Sequence, residues 1–415
     1  MNFEELGIRP ELVRILAGRN IRETSEIQTL VIPKLLEFSG SANEAKNILF
    51  TSPTGTGKTF AYLLPLLQEL FCGNPPDAQT ETRREQWPRL VILAPTYELC
   101  SQIKKEADFL CGAFLPPEKA AVHAALLIGS AALSRQIDAL KKNRPVIAVG
   151  NPARILQLAR MKKLSLKGMR CLVFDEGDRL CSDELFAETA ELAALAPEDC
   201  RFIACSATFS AKSRGKLFSA ESGRQWETIT QEENDILKKN IEHWAFFAED
   251  RKKISLLRSF IAAVKPKKAL VFTAKALQVG NIVSQLQYRH YAAAGLWGGM
   301  DKKARKAALD DFRKGSVSAL VSSDLAARGL DIEGISHIIA LDVIDDEEAY
   351  IHRAGRTARA GKRGVMVSIG DEDEMRRLAR IEKKLGITVY PKELFGGRVC
   401  APLPAASTHL QTDGR

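Results

Sequence analysis

The chain has 415 residues, too many for one ordinary domain and enough for two domains of about 200 residues each. Hydrophobic residues make up 45% of the sequence and charged residues 27%, which is the composition of a globular protein. Every apolar stretch is shorter than the roughly 18 residues that a membrane helix needs, which argues against a membrane-spanning protein. The net charge of +9 is compatible with a polyanionic partner and equally with a basic soluble enzyme.

The eight cysteines are scattered, and no two of them form a CxxC pair. This spacing argues against a disulfide framework and a zinc site, and it is typical of buried free thiols in a reducing compartment. The first residues, MNFEELGIRP, lack the basic start and apolar run of a secretory signal. We therefore expect a cytoplasmic protein.

Short runs rich in Val, Ile and Leu alternate with helical stretches, and this alternation predicts an α/β fold with mostly parallel sheets flanked by helices. In the first half, strands are predicted at residues 47–51, 89–96, 145–150, 169–176 and 201–208. The alternation restarts in the second half, with strands predicted at residues 268–274, 318–324, 337–342 and 364–370.

The polar segment QEENDILKKN, residues 231–240, has the composition of a linker. It separates a first domain, 1–230, from a second domain, 241–390, and the weakly periodic residues 391–415 are predicted to be an irregular tail. Loops are predicted at 37–47 and 72–89, and the length of the second favours a functional role.

A glycine-rich loop follows the first predicted strand, with the sequence Ser52-Pro-Thr54-Gly55-Thr56-Gly57-Lys58-Thr59. Glycines let the backbone fold tightly so that its N–H groups can bind phosphates at the start of the next helix, and Lys58 adds positive charge. The Thr59 hydroxyl is placed to bind Mg²⁺. Position 52 carries Ser where the general pattern has Gly. A Gly-Lys-Thr sequence between a strand and a helix predicts a nucleotide-binding loop rather than a glycine turn without a ligand.

An acidic cluster, Asp175-Glu176-Gly177-Asp178, directly follows the apolar run MRCLVF. By itself such a cluster is as often a solvated loop as a functional site. Carboxylates at the end of a parallel strand face the ligand-binding crevice, and the glycine-rich loop lies upstream in the sequence. We therefore interpret the acidic cluster as catalytic. One carboxylate would hold Mg²⁺ and its neighbour would orient the attacking water.

The second half contains His352-Arg353-Ala-Gly-Arg356-Thr-Ala-Arg359 and no glycine-rich phosphate loop. Arginines spaced by three share a face of a helix, and guanidinium groups suit phosphoryl charge. A solvated basic helix is the alternative interpretation. The hypothesis is that these arginines act on ATP bound by the first half.

Taken in order, the motifs resemble those of the DEAD-box RNA helicases of superfamily 2, from about residue 3 to residue 385. Asp175-Glu176-Gly177-Asp178 stands where that family has its name-giving DEAD motif. The other matching segments are Ile27-Gln28, Pro95 to Leu99, Gly129, Asn151-Pro152-Ala153-Arg154, Ser206-Ala207-Thr208, Gly298 to Arg305 and Ser322 to Asp331.

The resemblance implies two RecA-like domains that close over ATP, Mg²⁺ and single-stranded RNA, with local duplex unwinding or RNP remodelling and little sequence preference. We expect a monomer with no membrane contact. The implied catalytic residues are Lys58, Asp175, Glu176, Arg356 and Arg359, and Thr59 and Asp175 are the implied Mg²⁺ ligands. The implied ATP-binding residues are Phe3, Ile21, Gln28, Ser52, Thr54, Gly55, Thr56, Gly57, Lys58, Thr59 and Asp331. Asp178, Ser206, Thr208 and His352 would couple the two sites, and Thr96, Gly129, Arg154, Arg305, Ser323 and Arg328 would bind RNA.

The sequence also departs from the family pattern. The departures are Gly177 for the Ala of DEAD, Ile21 and Thr24 for an aromatic residue and a Pro, Tyr97 for an RNA-contacting Arg, Asn151 and Ala153 for Thr and Gly, and Lys302 for Gln. We expect Gly177 to affect the chemistry little and the altered RNA-side residues to weaken RNA binding. Two alternatives stay open: a DNA-directed ATPase of the same superfamily, and an RNA clamp that binds ATP with negligible turnover.

Overall fold

The structure is a computed structural model that describes residues 1–37, 47–53, 55–72, 87–114, 124–219, 225–231, 237, 239–324, 332–358 and 363–402. Thr54, Arg328, Asp331 and Arg359 lie outside the described residues, as does most of the two predicted loops. The chain divides into two compact units, Met1–Glu233 and a second one comprising Asn234–Ala327 and Ile332–Arg415. None of the described helices is long and apolar enough to cross a membrane.

The first unit is built on a parallel sheet. Its strands are β1 (Asn47–Thr51), β2 (Leu90–Leu93), β3 (Ala124–Leu127), β4 (Ile147–Gly150), β5 (Cys171–Asp175), β6 (Arg201–Ser206) and β7 (Trp226–Thr230). They lie in the order β3-β4-β2-β5-β6-β1-β7. Its helices are α1 (Pro10–Ala17), α2 (Glu26–Glu37), α3 (Lys58–Cys72), α4 (Tyr97–Cys111), α5 (Leu133–Asn143), α6 (Pro152–Arg160), α7 (Gly177–Leu180), α8 (Phe186–Ala194) and α9 (Ala211–Ser219).

The central strands of this sheet are buried along their whole length because a separate apolar core covers each face. Continuous Val, Ile and Leu runs are the sequence pattern that two-sided burial requires. Strands β5, β6 and β1 are neighbours, with Asp175 paired to Cys205 and Thr51 paired to Ser206. The segments that follow these three strands therefore start side by side at one edge of the sheet.

The second unit has its own parallel sheet and apolar core. Its strands are β8 (Ile241–Phe247), β9 (Ala269–Phe272), β10 (Ala293–Leu296), β11 (Ala319–Ser322), β12 (His337–Ala340), β13 (Gly364–Gly370) and β14 (Val389–Pro391). The order β10-β11-β9-β12-β13-β8-β14 repeats that of the first unit strand by strand. Its helices are α10 (Lys253–Val264), α11 (Val279–Gln287), α12 (Lys302–Lys314), α13 (Glu347–Ala354) and α14 (Glu372–Leu385). The predicted fold of two α/β domains with mostly parallel sheets is confirmed.

The segment after residue 391 differs from the expected irregular tail, since β15 (Glu393–Phe395) and β16 (Arg398–Cys400) form an antiparallel hairpin. Gly396 and Gly397 both have positive φ, which suits a tight two-residue hairpin turn. Strands of three residues are too short for alternation to be recognised in the sequence, which is why the pattern did not reveal them.

Candidate functional site

The glycine-rich loop joins β1 to α3 in the first unit. Gly55 and Gly57 have φ values of +81° and +91°, a backbone region that side chains disfavour. A Cβ atom at Gly57 would also lie 2.4 Å from Nε2 of Gln28. Position 57 therefore needs glycine for its backbone angle and for the close approach of α2.

Gln28 is buried and connects α2 to this loop. Its Nε2 donates to the Gly57 carbonyl at 3.1 Å, and its Oε1 accepts from the Ser25 N–H at 2.9 Å. The Gln28 amide, which the family resemblance implies to bind ATP, is thus bonded to the glycine-rich loop itself. Phe3 is fully buried in the core, so its ring can shape the site only through packing, and Ile21 is partly buried against the same core.

The ammonium group of Lys58 donates to the carbonyls of Ser52 and Pro53 at 2.6 and 2.9 Å. Both carbonyls are neutral, and the positive charge of Lys58 also acts on the Asp175 carboxyl. The buried Ser52 hydroxyl hydrogen-bonds with the Thr56 hydroxyl and donates to Oε1 of Gln231. Gln231, which the sequence assigned to the linker, therefore helps to fix the loop of the first unit.

Asp175 ends β5 as a buried carboxylate. Its Oδ2 accepts from the Tyr62 hydroxyl at 2.8 Å, and its Oδ1 accepts from the Glu176 N–H at 3.0 Å and from Sγ of Cys205 at 3.4 Å. Burial raises the pKa of the Asp175 carboxyl, while the hydrogen bond from Tyr62 and the charge of Lys58 act in the opposite direction. Sequence analysis missed Tyr62 and Cys205, because both lie inside apolar runs that read as core.

The Tyr62 hydroxyl interacts with both oxygen groups that suit a divalent cation. Tyr62 donates to Asp175, and the neighbouring Thr59 side chain lowers the pKa of Tyr62, against the larger rise that burial causes. A hydroxyl and a carboxylate are the hard oxygen donors that Mg²⁺ prefers, and Mg²⁺ commonly binds one or two carboxylates together with substrate phosphates. A buried carboxylate whose charge is only partly stabilised by hydrogen bonds also gains from a nearby cation. Thr59 and Asp175 therefore fit the ion.

Glu176 and Gly177 turn the chain from β5 into α7. Glu176 has φ and ψ values of 52°, a left-handed conformation that is uncommon for a residue other than glycine. A Cβ atom at Gly177 would lie 2.8 Å from Cζ of Phe209, whose ring is buried. The ring of Phe209 thus fills the space that an alanine methyl would need at this position.

The last acidic residue of the cluster contacts the end of β6. Ser206 donates a short hydrogen bond to Oδ1 of Asp178, and both side chains are buried. The hydroxyl oxygen of Thr208 is buried as well, and it finds no hydrogen-bond partner among the described residues. Of the predicted coupling residues in the first unit, Ser206 and Asp178 are thus hydrogen-bonded to each other, whereas the Thr208 hydroxyl has no hydrogen-bond partner among the described residues.

The predicted RNA-binding residues of the first unit lie on loops that the protein itself braces. Thr96 caps α4 by accepting from the Leu99 N–H at 3.3 Å. Oδ1 of Asn151 accepts from the Gly129 N–H at 3.3 Å. Arg154 donates to the carbonyls of Gly129 and Ala131 at 3.0 and 3.1 Å. Part of the hydrogen-bonding capacity assigned to RNA is therefore used within these loops.

In the second unit, the arginine-rich segment starts on α13. Arg353 forms a two-pronged ion pair with Asp324 and donates to the Asp342 carbonyl at 2.7 Å. Arg356 and Ser323 are buried, His352 is partly buried, and Arg305 lies in the first turn of α12. Arg353 thus forms a buried ion pair within the arginine-rich segment. Sequence analysis had assigned that segment to phosphoryl chemistry.

Two family models match the chain. The model described as DEAD/DEAH box helicase matches residues 25–216, and the model described as helicase conserved C-terminal domain matches residues 252–361.

The chain is similar to curated helicases over nearly its whole length. It is 34% identical to the DEAD-box ATP-dependent RNA helicase CshC of Bacillus cereus over 400 residues. This alignment covers 96% of this chain and 95% of the relative. It is 30% identical over 405 residues to the ATP-dependent RNA helicase SrmB of Haemophilus influenzae, covering 97% and 85%.

Among solved structures, S. cerevisiae Dbp5 bound to RNA and ADP BeF3 is similar with a TM-score of 0.78 and 25% identity, over 94% of this chain and 95% of that one. Mss116p bound to ssRNA and AMP-PNP shares the fold, with a TM-score of 0.80 and 21% identity, over 95% of this chain and 79% of that one.

Proposed function

Because the chain belongs to the DEAD-box family of ATP-dependent RNA helicases, we propose that it hydrolyses ATP at one edge of the first unit's sheet and that single-stranded RNA stimulates the reaction. One observation carries this proposal. The glycine-rich loop, the acidic cluster and Ser206 lie at the C-terminal ends of three neighbouring parallel strands and so meet at the same edge.

In this proposal, the N–H groups of the loop and the Lys58 ammonium bind the β- and γ-phosphates. Lys58 exchanges its hydrogen bonds to two neutral carbonyls for bonds to phosphate oxygens, which are the stronger acceptors. The sequence Asp175-Glu176-Gly177-Asp178 is the chain's form of the DEAD motif. Glu176 holds the attacking water and accepts its proton.

Thr59 and Asp175 are the residues that would hold Mg²⁺. Mg²⁺ bound there would offset the negative charge of the phosphate oxygens during transfer. Tyr62 supports this arrangement, because its hydroxyl fixes one oxygen of Asp175 and leaves the carboxylate in a defined orientation.

Arg356 and Arg359 of the second unit complete the proposed site by stabilising the transferring phosphoryl group. Hydrolysis then requires the two units to close, and RNA bound by both units favours closure. The RNA-side residues of the proposal are Thr96, Gly129, Arg154, Arg305, Ser323 and Arg328. Contacts to backbone and 2′-hydroxyl groups would give little sequence preference.

We further infer a monomer that acts in the cytoplasm. The cysteines support a reducing compartment, because Cys100, Cys111, Cys171, Cys181, Cys200 and Cys205 are buried free thiols.

The test compares Glu176→Gln with the wild-type protein in a phosphate-release assay, with and without single-stranded RNA. We expect the RNA-stimulated kcat to fall by at least ~10² while ATP binding is retained, because the water loses its base. The exposed Glu184 provides a matched control, since Glu184→Gln makes the same chemical change elsewhere in the first unit. A kcat of Glu176→Gln within a few fold of the wild type would refute the assignment, and equal stimulation by DNA would favour a DNA-directed ATPase.

A further inference from the structure

A group of basic side chains lies at the edge of the first unit's sheet that is opposite to the proposed ATP site. They come from the end of α5 and from the segment between α6 and β5, and all of them are exposed. Among the residues that the structure describes, none of them takes part in an ion pair. The members of this basic edge cluster are Lys141, Lys142, Arg144, Lys162, Lys163, Lys167 and Arg170.

The topology of the sheet places these residues on one surface. Helix α5 leads into β4, and α6 leads back from the end of β4 towards the start of β5, so both helices end at the edge where the strands begin. Strands β4 and β5 flank β2 and lie about 10 Å apart. Leu140 of α5 and Leu158 of α6 belong to the same apolar core, as do Leu164 and Leu166 in the segment after α6. The two groups of cations are therefore on the same face of the sheet as well as at the same edge.

Stabilisation of helix ends accounts for only part of the cluster. Cations in the last turn of a helix interact favourably with its dipole, and this effect falls off within that turn. Lys141 and Lys142 lie in the last turn of α5. Helix α6 ends at Arg160, which is paired with Glu191. The members that lie beyond this helix end, and that the dipole leaves unexplained, are Lys162, Lys163, Lys167 and Arg170.

The composition of the surface favours the phosphates of a duplex as its ligand. Residues 139–147 and 161–170 contain seven basic residues and no Asp or Glu. They also contain no aromatic residue, whereas surfaces that bind single strands combine positive charge with aromatic rings on which bases stack. Charge alone contacts phosphates and leaves bases unread. A duplex presents a dense row of phosphates and keeps its bases paired, which suits such a surface.

This edge is distinct from the single-strand site of the proposed function. Thr96 follows β2 and Arg154 lies in the first turn of α6, so both belong to the edge where the strands end. Arg170 and Glu176 directly flank β5, and an extended chain of this length spans about 20 Å. An RNA that contacts both edges must therefore extend well beyond the single strand itself.

We propose that the basic edge cluster is a second RNA-binding surface, which holds the phosphate backbone of a duplex that adjoins the single strand bound at the opposite edge. The proposal deepens the proposed function and rests on it for the choice of RNA as the polyanion. Contact with phosphates alone gives no sequence preference. The cluster would keep the protein on structured RNA, where a duplex adjoins a single strand.

The experiment uses the full-length protein and two RNAs. One is a single strand of about ten nucleotides, within the usual site size of single-strand binders. The other, the tailed duplex, is the same strand extended by about 16 base pairs, the span that a double-stranded RNA-binding domain contacts. Dissociation constants are measured by fluorescence anisotropy at several salt concentrations.

The cluster variant combines Lys142→Gln, Lys163→Gln and Lys167→Gln, which removes three charges and keeps polar side chains. We expect it to bind the tailed duplex at least ~10-fold more weakly at low salt, with a salt slope lowered by about one for each lysine. The Kd of the short single strand should stay unchanged. Met161→Arg adds a cation at an exposed position within the cluster, and it should tighten the binding of the tailed duplex only.

The matched control combines Lys105→Gln, Lys314→Gln and Lys383→Gln. It removes the same total charge from exposed lysines on three helices outside the cluster. Unfolding by denaturant is measured for every variant, so that a loss of binding is compared at equal stability.

The proposal is overturned if the cluster variant binds the tailed duplex like the wild type, if the control variant weakens this binding equally, or if the short single strand is weakened as much. Tighter binding of poly-glutamate than of the duplex, lost in the cluster variant, would overturn it in favour of an acidic protein segment. Failure of the proposed function would look different, since RNA would then not stimulate ATP hydrolysis by the wild-type protein, whereas its binding to the tailed duplex would still be measurable.

Discussion

The smallest departure from the DEAD sequence, Gly177, has a steric partner in this chain. From the sequence we expected the missing methyl group to matter little. The structure shows that a methyl at position 177 would lie 2.8 Å from Cζ and 3.0 Å from Cε2 of Phe209. Since Phe209 is buried, its ring cannot move away without disturbing the core around it. Gly177 and Phe209 are therefore matched to each other.

We predict that Gly177→Ala destabilises the protein by about 1–2 kcal/mol, because inserting a methyl into a packed site forces neighbouring groups to shift. Adding Phe209→Leu removes the ring atoms from this contact and should make the alanine less harmful. Denaturant unfolding of the wild type, both single variants and the double variant measures this coupling. Gly215→Ala on α9 is the control, since a Cβ there meets nothing within 4 Å. Strictly additive effects of the two substitutions would show that the residues are not coupled.

At the scale of elements, the RNA-side loops of the first unit differ most from the family pattern. Tyr97 begins α4, and 48% of its surface is exposed. The Asn151 side chain accepts a hydrogen bond from the Gly129 N–H, and Arg154 donates one to the Gly129 carbonyl. These contacts brace the loop, and we expect them to leave fewer of its groups for an RNA backbone.

Tyr97→Arg should tighten the binding of single-stranded RNA and steepen its salt dependence by about one phosphate contact. RNA titrations at several salt concentrations, with a non-hydrolysable ATP analogue present, measure both quantities. Met161→Arg is the control, because it adds the same charge at an exposed position beyond the C-terminal end of α6, at the opposite edge of the sheet. Parallel salt slopes and equal affinities would contradict the prediction, and weaker binding would assign Tyr97 to base stacking.

The same scale shows what the sequence could and could not reveal. Every strand predicted from an apolar run is a central strand, whereas β3, β7, β10 and β14, which were not predicted, are the edges of the two sheets. Edge strands are covered on fewer sides and do not need continuous apolar runs. Strand β8 was also missed, because its buried and exposed residues are mixed.

The candidate site follows the same logic. Lys58, Asp175 and Glu176 were chosen as candidates because their motifs are contiguous in the sequence, and their roles stay predictions. Tyr62 reaches Asp175 across 113 residues and Cys205 reaches it across 30, and neither contact leaves a local pattern. Gln231 reads as linker in the sequence because only the folded chain brings it to Ser52.

For the whole molecule, the central question is whether the second unit contributes to catalysis. We predict that Arg356→Ala leaves the Kd of ATP without RNA nearly unchanged and lowers RNA-stimulated hydrolysis by roughly 10³–10⁵, the range of arginine fingers. Arg380→Ala is the control, since Arg380 is an exposed arginine of the same unit that pairs with Asp345 on the surface. Binding of a fluorescent ATP analogue and phosphate release are the two measurements. An unaltered RNA-stimulated rate would mean that the second unit supplies no group to the reaction.

The identical strand order of the two sheets makes the second unit a structural duplicate of the first, and a duplicate has a position that corresponds to the phosphate-type loop. That position follows β8, where α10 begins with Lys253 just as α3 begins with Lys58. The two lysines differ in their partners: Lys58 bonds to neutral carbonyls, whereas the buried Lys253 is paired with the carboxylates of Glu374 and Asp250. A phosphate can displace a carbonyl from an ammonium group, but it gains little by displacing a buried carboxylate that would be left without a counter-ion. We therefore expect this ion pair to keep Lys253 from binding phosphate, so that the proposed phosphate site exists in only one half of a twofold-repeated architecture.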